Sequence, residues 1–114
     1  MHARVTQFEI DTLRMSLPDA IALFQERVLP RLRAHPQCEG VMALTTPEGK
    51  GMLLSFWTSA EAADEGLKSG FYDAQVADFT LFLRQPPGRE HYEVVLQEMN
   101  AAFKAGATAH NGGA

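Results

Sequence analysis

Two stretches of helical spacing, each stopped by proline, stand between runs of strand-type residues, and this alternation constrains the chain more than anything else in it. In the first stretch Ile21, Phe24, Val28 and Leu32 recur at three- and four-residue steps, which places them on one helical stripe. Ser16, Pro18 and Asp19 supply a cap, an early-turn proline and the acid of a capping box. Pro30 falls inside the stripe and predicts a kink or a division, because it lacks a backbone donor. His35-Pro36 ends the stretch. The second stretch opens at Thr58 with Glu61 three residues on, is interrupted at Gly66 and Ser69-Gly70, and resumes with Tyr72, Val76, Phe79 and Leu83. Pro86-Pro87-Gly88 stops it.

Strands are predicted over 4–10, 41–46, 52–57 and 92–99, where β-branched and aromatic residues concentrate. The turn formers of Thr46-Pro47-Glu48-Gly49-Lys50-Gly51 join the middle two as an antiparallel hairpin. On the first strand Val5, Gln7 and Glu9 share one face, and Thr6, Phe8 and Ile10 the other. The order βαββαβ with short connections specifies a ferredoxin-like α+β fold: an antiparallel sheet with both helices on one face. The strands carry apolar residues on both parities, so the helix-free face also needs a cover. A second copy of the sheet is the simplest one, giving a homodimer closed as an α/β barrel.

A length of 114 residues suits one domain, here 1–99, with an alanine- and glycine-rich flexible tail over 100–114. A net charge of −4 argues against nucleic acid or an anionic membrane as partner. No apolar run approaches the roughly 20 residues of a membrane span. Met1 to Val5 lacks the apolar core of a signal peptide, and the default expectation is a soluble cytoplasmic protein. The lone Cys38 has no nearby histidine to make it a nucleophile, and Gly49-Lys50-Gly51 opens no helix that would make it a phosphate loop. His2, His35 and His110 have no partner at usable spacing, and no metal or cofactor fingerprint is present. His91 reads either as a base near neutral pH or as an exposed residue at a strand start. Asp64 and Glu65 read as a solvated helix face.

Several segments together resemble the dimeric α/β-barrel superfamily, and within it the antibiotic biosynthesis monooxygenase-like domains. They are Val28-Leu29-Pro30-Arg31-Leu32, His35-Pro36-Gln37-Cys38-Glu39-Gly40-Val41, Ser55-Phe56-Trp57-Thr58-Ser59-Ala60-Glu61-Ala62, Ser69-Gly70-Phe71-Tyr72 and the run from Pro86 to Val95. They span about residues 4–97. The resemblance implies a cofactor-independent monooxygenase that holds a small electron-rich aromatic (a quinol, phenol or anthrone-like compound) in an apolar cleft between sheet and helices. There the substrate anion reacts with dioxygen directly. In such a cleft the protein supplies an aromatic wall and hydrogen bonds to developing negative charge.

By that resemblance Trp57 is the aromatic wall and Gln7, on the first strand, the hydrogen-bonding group; Phe71, Tyr72 and Phe79 are candidate ligand-binding residues under the second helix. The bland alternatives are a core plug for Trp57, a backbone-bonded polar residue for Gln7 and ordinary core for the three aromatics. Haem-degrading relatives carry an iron-binding histidine about ten residues past the tryptophan, where this chain reads Glu65-Gly66-Leu67-Lys68-Ser69, so haem degradation is not expected. Leu53 stands where polyketide-oxidising relatives have an asparagine. The alternative function is a non-enzymatic dimer that binds a small apolar ligand or serves a stress role. A lactone isomerase would need a paired acid and base that the sequence does not offer.

Overall fold

The chain builds β1 (His2–Glu9), α1 (Leu17–Arg27), α2 (Leu29–Ala34), β2 (Cys38–Thr45), β3 (Lys50–Trp57), α3 (Ala60–Lys68) and β4 (Gly88–Glu93) in a computed structural model that describes residues 1–68, 77 and 79–99. The strands form one antiparallel sheet in the order β2-β3-β1-β4. That is the ferredoxin-like α+β arrangement expected from the residue pattern. The expected tail over 100–114 lies outside the described residues.

Local chemistry explains the boundaries. The Ser16 hydroxyl accepts from the Asp19 amide at 3.2 Å and caps α1, with Pro18 in its first turn. Pro30 divides the helical stripe at Val28, the residue between α1 and α2. Val28 donates to the Phe24 carbonyl and accepts from Leu32, so the apolar stripe continues through the break. At α3 the cap is Ser59, whose hydroxyl accepts from the Ala62 amide at 3.1 Å, and not the expected Thr58. The predicted helical stripe through Leu83 also needs correction. Thr80–Phe82 is a single 3-10 turn, and Leu83 makes an isolated bridge to Ile10. The last strand begins four residues earlier than predicted, immediately after Pro87. Its pairing with β1 runs from Gln7↔Gly88 to His2↔Glu93, and Val94 N donates to the Met1 carbonyl just beyond. Val95 and Leu96, expected within that strand, are 87% and 82% exposed.

Register fixes the two faces. Arg4, Thr6 and Phe8 share the helix-covered face with Ser55, Leu53 and Gly51; Val5 and Gln7 share the other with Leu54 and Met52. The core on the covered face is Val28, Leu32, Trp57, Ala62 and Ala63, with Phe24, Cys38, Val41 and Phe79 against it. The alanines of α3 let its backbone approach the indole. On the open face Met42, Leu44, Met52 and Tyr92 stay at least a third exposed. Among the described residues no helix is long and apolar enough to cross a membrane.

The β2–β3 turn depends on Gly49, whose φ is +98°. A Cβ there would lie 2.5 Å from the Ile10 carbonyl oxygen, while the Gly49 carbonyl accepts from Ile10 N at 2.8 Å. Gly49→Ala is therefore expected to cost on the order of 1–3 kcal/mol, read as a lower denaturant midpoint at unchanged slope.

Candidate functional site

Between α1 and the sheet lies an apolar cavity of about 120 Å³. Its roof is Leu17, Ala20, Ile21 and Phe24 of α1 with Val28 at its end; its floor is Thr6, Phe8, Ala43, Thr45 and Leu53. The floor depends on Gly51. A Cβ there would meet the Phe8 ring at 2.5 Å and the Leu44 carbonyl oxygen at 2.6 Å, so the missing side chain lets the ring lie across β3. Ile21 borders the cavity while remaining 43% exposed, which leaves it unsealed.

Phe79, Leu83 and Pro87 complete the rim. Their segment is tied to β1 and the connection after it: Arg84 N donates to the Glu9 carbonyl at 2.9 Å, and Asp11 N donates to Phe82 at 2.7 Å. The Arg84 guanidinium pairs with Glu9 at 3.2 Å and reaches Asp11 at 3.8 Å. These partly exposed ion pairs add little energy individually, but they fix where the rim sits.

Thr6 and Thr45 are the polar side chains among the described lining residues. Each carries a hydroxyl that can donate to, or accept from, a ligand oxygen. A preformed apolar slot with a few oriented polar groups is the usual form of a small-molecule site. Thr6 could have been found from the sequence, since it shares a face with Phe8 and Ile10.

The structure does not bring Gln7 and Trp57 together. Gln7 is exposed on the open face, in register with Met52 and Gly88, and borders a shallow groove with Leu44, Lys50 and Gln85. Trp57 is 1% exposed on the covered face and does not line the cavity. Its indole N–H donates to the Ser55 hydroxyl at 2.9 Å, and the His35 ring stands edge-on to it with centroids 4.9 Å apart. Phe79 does border the cavity. Phe71 and Tyr72 lie outside the described residues.

Burial raises the Cys38 thiol above its usual range, with the Glu39 charge adding to the shift. At neutral pH the thiol stays protonated, which fits no nucleophilic role. The histidines fare differently from the sequence reading. His2 Nδ1 is 2.9 Å from His91 Nε2, and His91 Nδ1 is 3.1 Å from Asp64, which also pairs with Arg4, buried at 6% side-chain exposure. Asp64 keeps the exposed helix face expected of it, its side chain being 44% exposed, and also pairs inward with Arg4 and His91. His110 lies outside the described residues. Among the described residues no group of three or more His, Cys, Asp or Glu is arranged to hold a metal ion.

No protein-family model and no curated protein matches the chain. Solved structures do. Rv0793 from Mycobacterium tuberculosis superimposes with a TM-score of 0.63 at 22% identity, covering 87% of this chain and 98% of that one. An antibiotic biosynthesis monooxygenase matches with a TM-score of 0.61 at 19% identity over 84% of this chain and 100% of its own. The ActVA-Orf6 monooxygenase of Streptomyces coelicolor, solved with nanaomycin D, matches with a TM-score of 0.63 at 14% identity over 88% of this chain and 92% of its own. The chain therefore has the fold of the antibiotic biosynthesis monooxygenase-like domains that its sequence resembles.

Proposed function

We propose that the protein is a cofactor-independent monooxygenase acting on a single-ring, electron-rich aromatic, a phenol or quinol, bound in the slot between α1 and the sheet. The observation that carries this reading is the slot itself: about 120 Å³, apolar, with the Thr6 and Thr45 hydroxyls on its floor. An apolar cavity of roughly 150 Å³ takes up benzene, so this volume suits one aromatic ring better than the three of an anthrone. The electrons come from the substrate. A quinol and dioxygen give a hydroxyquinone and water, with one oxygen atom entering the ring and the other leaving as water. The protein's share is to position the ring and stabilise the phenolate that reacts. Thr6 and Thr45 take the hydrogen-bonding role first assigned to Gln7, and Phe8 and Phe79 replace Trp57 as the aromatic wall.

Oxygen uptake with a panel of quinols and phenols, in the presence of a chelator, tests this. Wild type is expected to exceed the uncatalysed background. Thr6→Val, nearly equal in volume, is expected to lower kcat roughly a hundred-fold, as the loss of one donor to a developing oxyanion does.

A second reading, a dimer that binds a small apolar ligand without turning it over, draws on one observation: the described lining residues include no titratable group. Saturable binding of a phenol without oxygen uptake would favour it. In both readings we infer that the chain pairs through its open sheet face, where Val5, Leu54, Phe56, Met42 and Leu44 would otherwise meet water.

A further inference from the structure

We propose that His2, His91, Asp64 and Arg4 form a pH-responsive clasp that ties the ends of β1 and β4 to α3 and opens when both histidines are protonated. The four come from three elements. Arg4 and His91 are register partners across β1 and β4, and Asp64 reaches them from α3. The Asp64 Oδ1 atom takes Arg4 Nη1 at 3.1 Å and His91 Nδ1 at 3.1 Å. The far side of the same ring, Nε2, lies 2.9 Å from His2 Nδ1, with ring centroids 5.0 Å apart.

Hydrogen-bond chemistry assigns the protons. A carboxylate only accepts, so the His91 Nδ1 atom carries a hydrogen. In the neutral ring Nε2 is then an acceptor, and His2 must donate from Nδ1. One added proton is accommodated: His91 becomes an imidazolium beside Asp64, donates from Nε2, and His2 accepts in its other tautomer. A second proton is not accommodated. Both facing nitrogens then carry hydrogens, both rings are cationic, and the contact must break.

Charged side chains stand around the pair. Glu93 stands opposite His2 in the β1–β4 register, Arg89 lies two residues from His91 on its face, and Glu61 and Glu65 flank Asp64 on α3. The strand rows held by the clasp end in the bond from Val94 N to the Met1 carbonyl, 3.0 Å long. Their protection is the natural readout.

Amide hydrogen exchange at pH 7.5 and pH 5, corrected for intrinsic rates, brackets the range in which histidine ordinarily changes charge. For wild type, protection of Val94 and of the paired amides of Ala3 and Tyr92 is expected to fall at least ten-fold at pH 5. The β2–β3 ladder around Ala43 and Leu53 should hold its protection at both values. The decisive variant is His2→Gln, whose amide can donate to or accept from His91 but cannot titrate. It is expected to keep the β1–β4 end protected at both pH values. Equal wild-type protection at the two pH values overturns the clasp, and so does a His2→Gln variant that loosens at pH 5 as wild type does. Loss of protection in His2→Gln already at pH 7.5 overturns it too, since the contact would then be a packing requirement of the imidazole.

Discussion

Trp57→Ala is expected to lower stability by about 3–5 kcal/mol, Trp57 being with Leu32 one of the two largest fully buried side chains among the described residues. Trp57 is 1% exposed and joins Val28 and Leu32 from the divided helix to Ala62 and Ala63 of α3. Its removal leaves a void between elements that cannot close independently, because Val28 and Leu32 sit on either side of the Pro30 break. Single domains are stable by only about 5–15 kcal/mol, so the variant should lose a large share of its margin. With roughly 4–8 °C of Tm lost per kcal/mol in a domain of this size, the midpoint should fall by more than about 12 °C. Trp57→Phe separates a structural role from a substrate-binding one. It keeps most of the ring volume but removes the N–H that satisfies Ser55, itself 3% exposed. A lowered Tm with unchanged ligand affinity is the expected pattern. A normal Tm with weakened ligand binding would return Trp57 to the wall of the slot.

Local signals in the sequence were sufficient for the framework. Ser16 and Pro18 set the start of α1, Pro30 split the stripe, and Gly49 turned the hairpin, because each acts through its own backbone. Strand parity separated Thr6 and Phe8 from Gln7 and Glu9. What parity could not say was which set faces the helices, and the pairing of Gln7 with Trp57 rested on a family likeness that carried no face. The register decides it: Gln7 lies opposite Met52, an odd number of residues from Trp57, so the two point to opposite sides. The clasp was invisible for a different reason. His2 and His91 are 89 residues apart and Arg4 and Asp64 60 apart, so no spacing rule applies until the sheet is assembled. The cap at Ser59, one residue from the expected Thr58, shows the smaller error that local rules make when two hydroxyls adjoin.

The proposed pairing through the open face gives the second large effect. Leu54 occupies the middle row of that face, in register with Val5 on one side and Met42 on the other, and is half-buried in the single chain. In a monomer a glutamate at this position can reach water, so Leu54→Glu should fold with nearly the wild-type Tm. In a dimer closed over this face, each copy would bury a carboxylate against Val5, Met42 and their counterparts with no cation among them. An uncompensated buried charge costs on the order of 3–5 kcal/mol, which corresponds to a dimer dissociation constant weakened at least a hundred-fold. Sedimentation equilibrium at micromolar concentration should therefore find wild type as a dimer and Leu54→Glu as a 12.5 kDa monomer. Leu13→Glu is the control: Leu13 is 92% exposed in the connection between β1 and α1, off the sheet, and should leave the dimer intact. A monomeric wild type, or a Leu54→Glu variant that stays dimeric, would remove the open face as the interface. The apolar rows of Met42, Leu54 and Val5 would then need another cover, since a face of that composition is costly to leave in water.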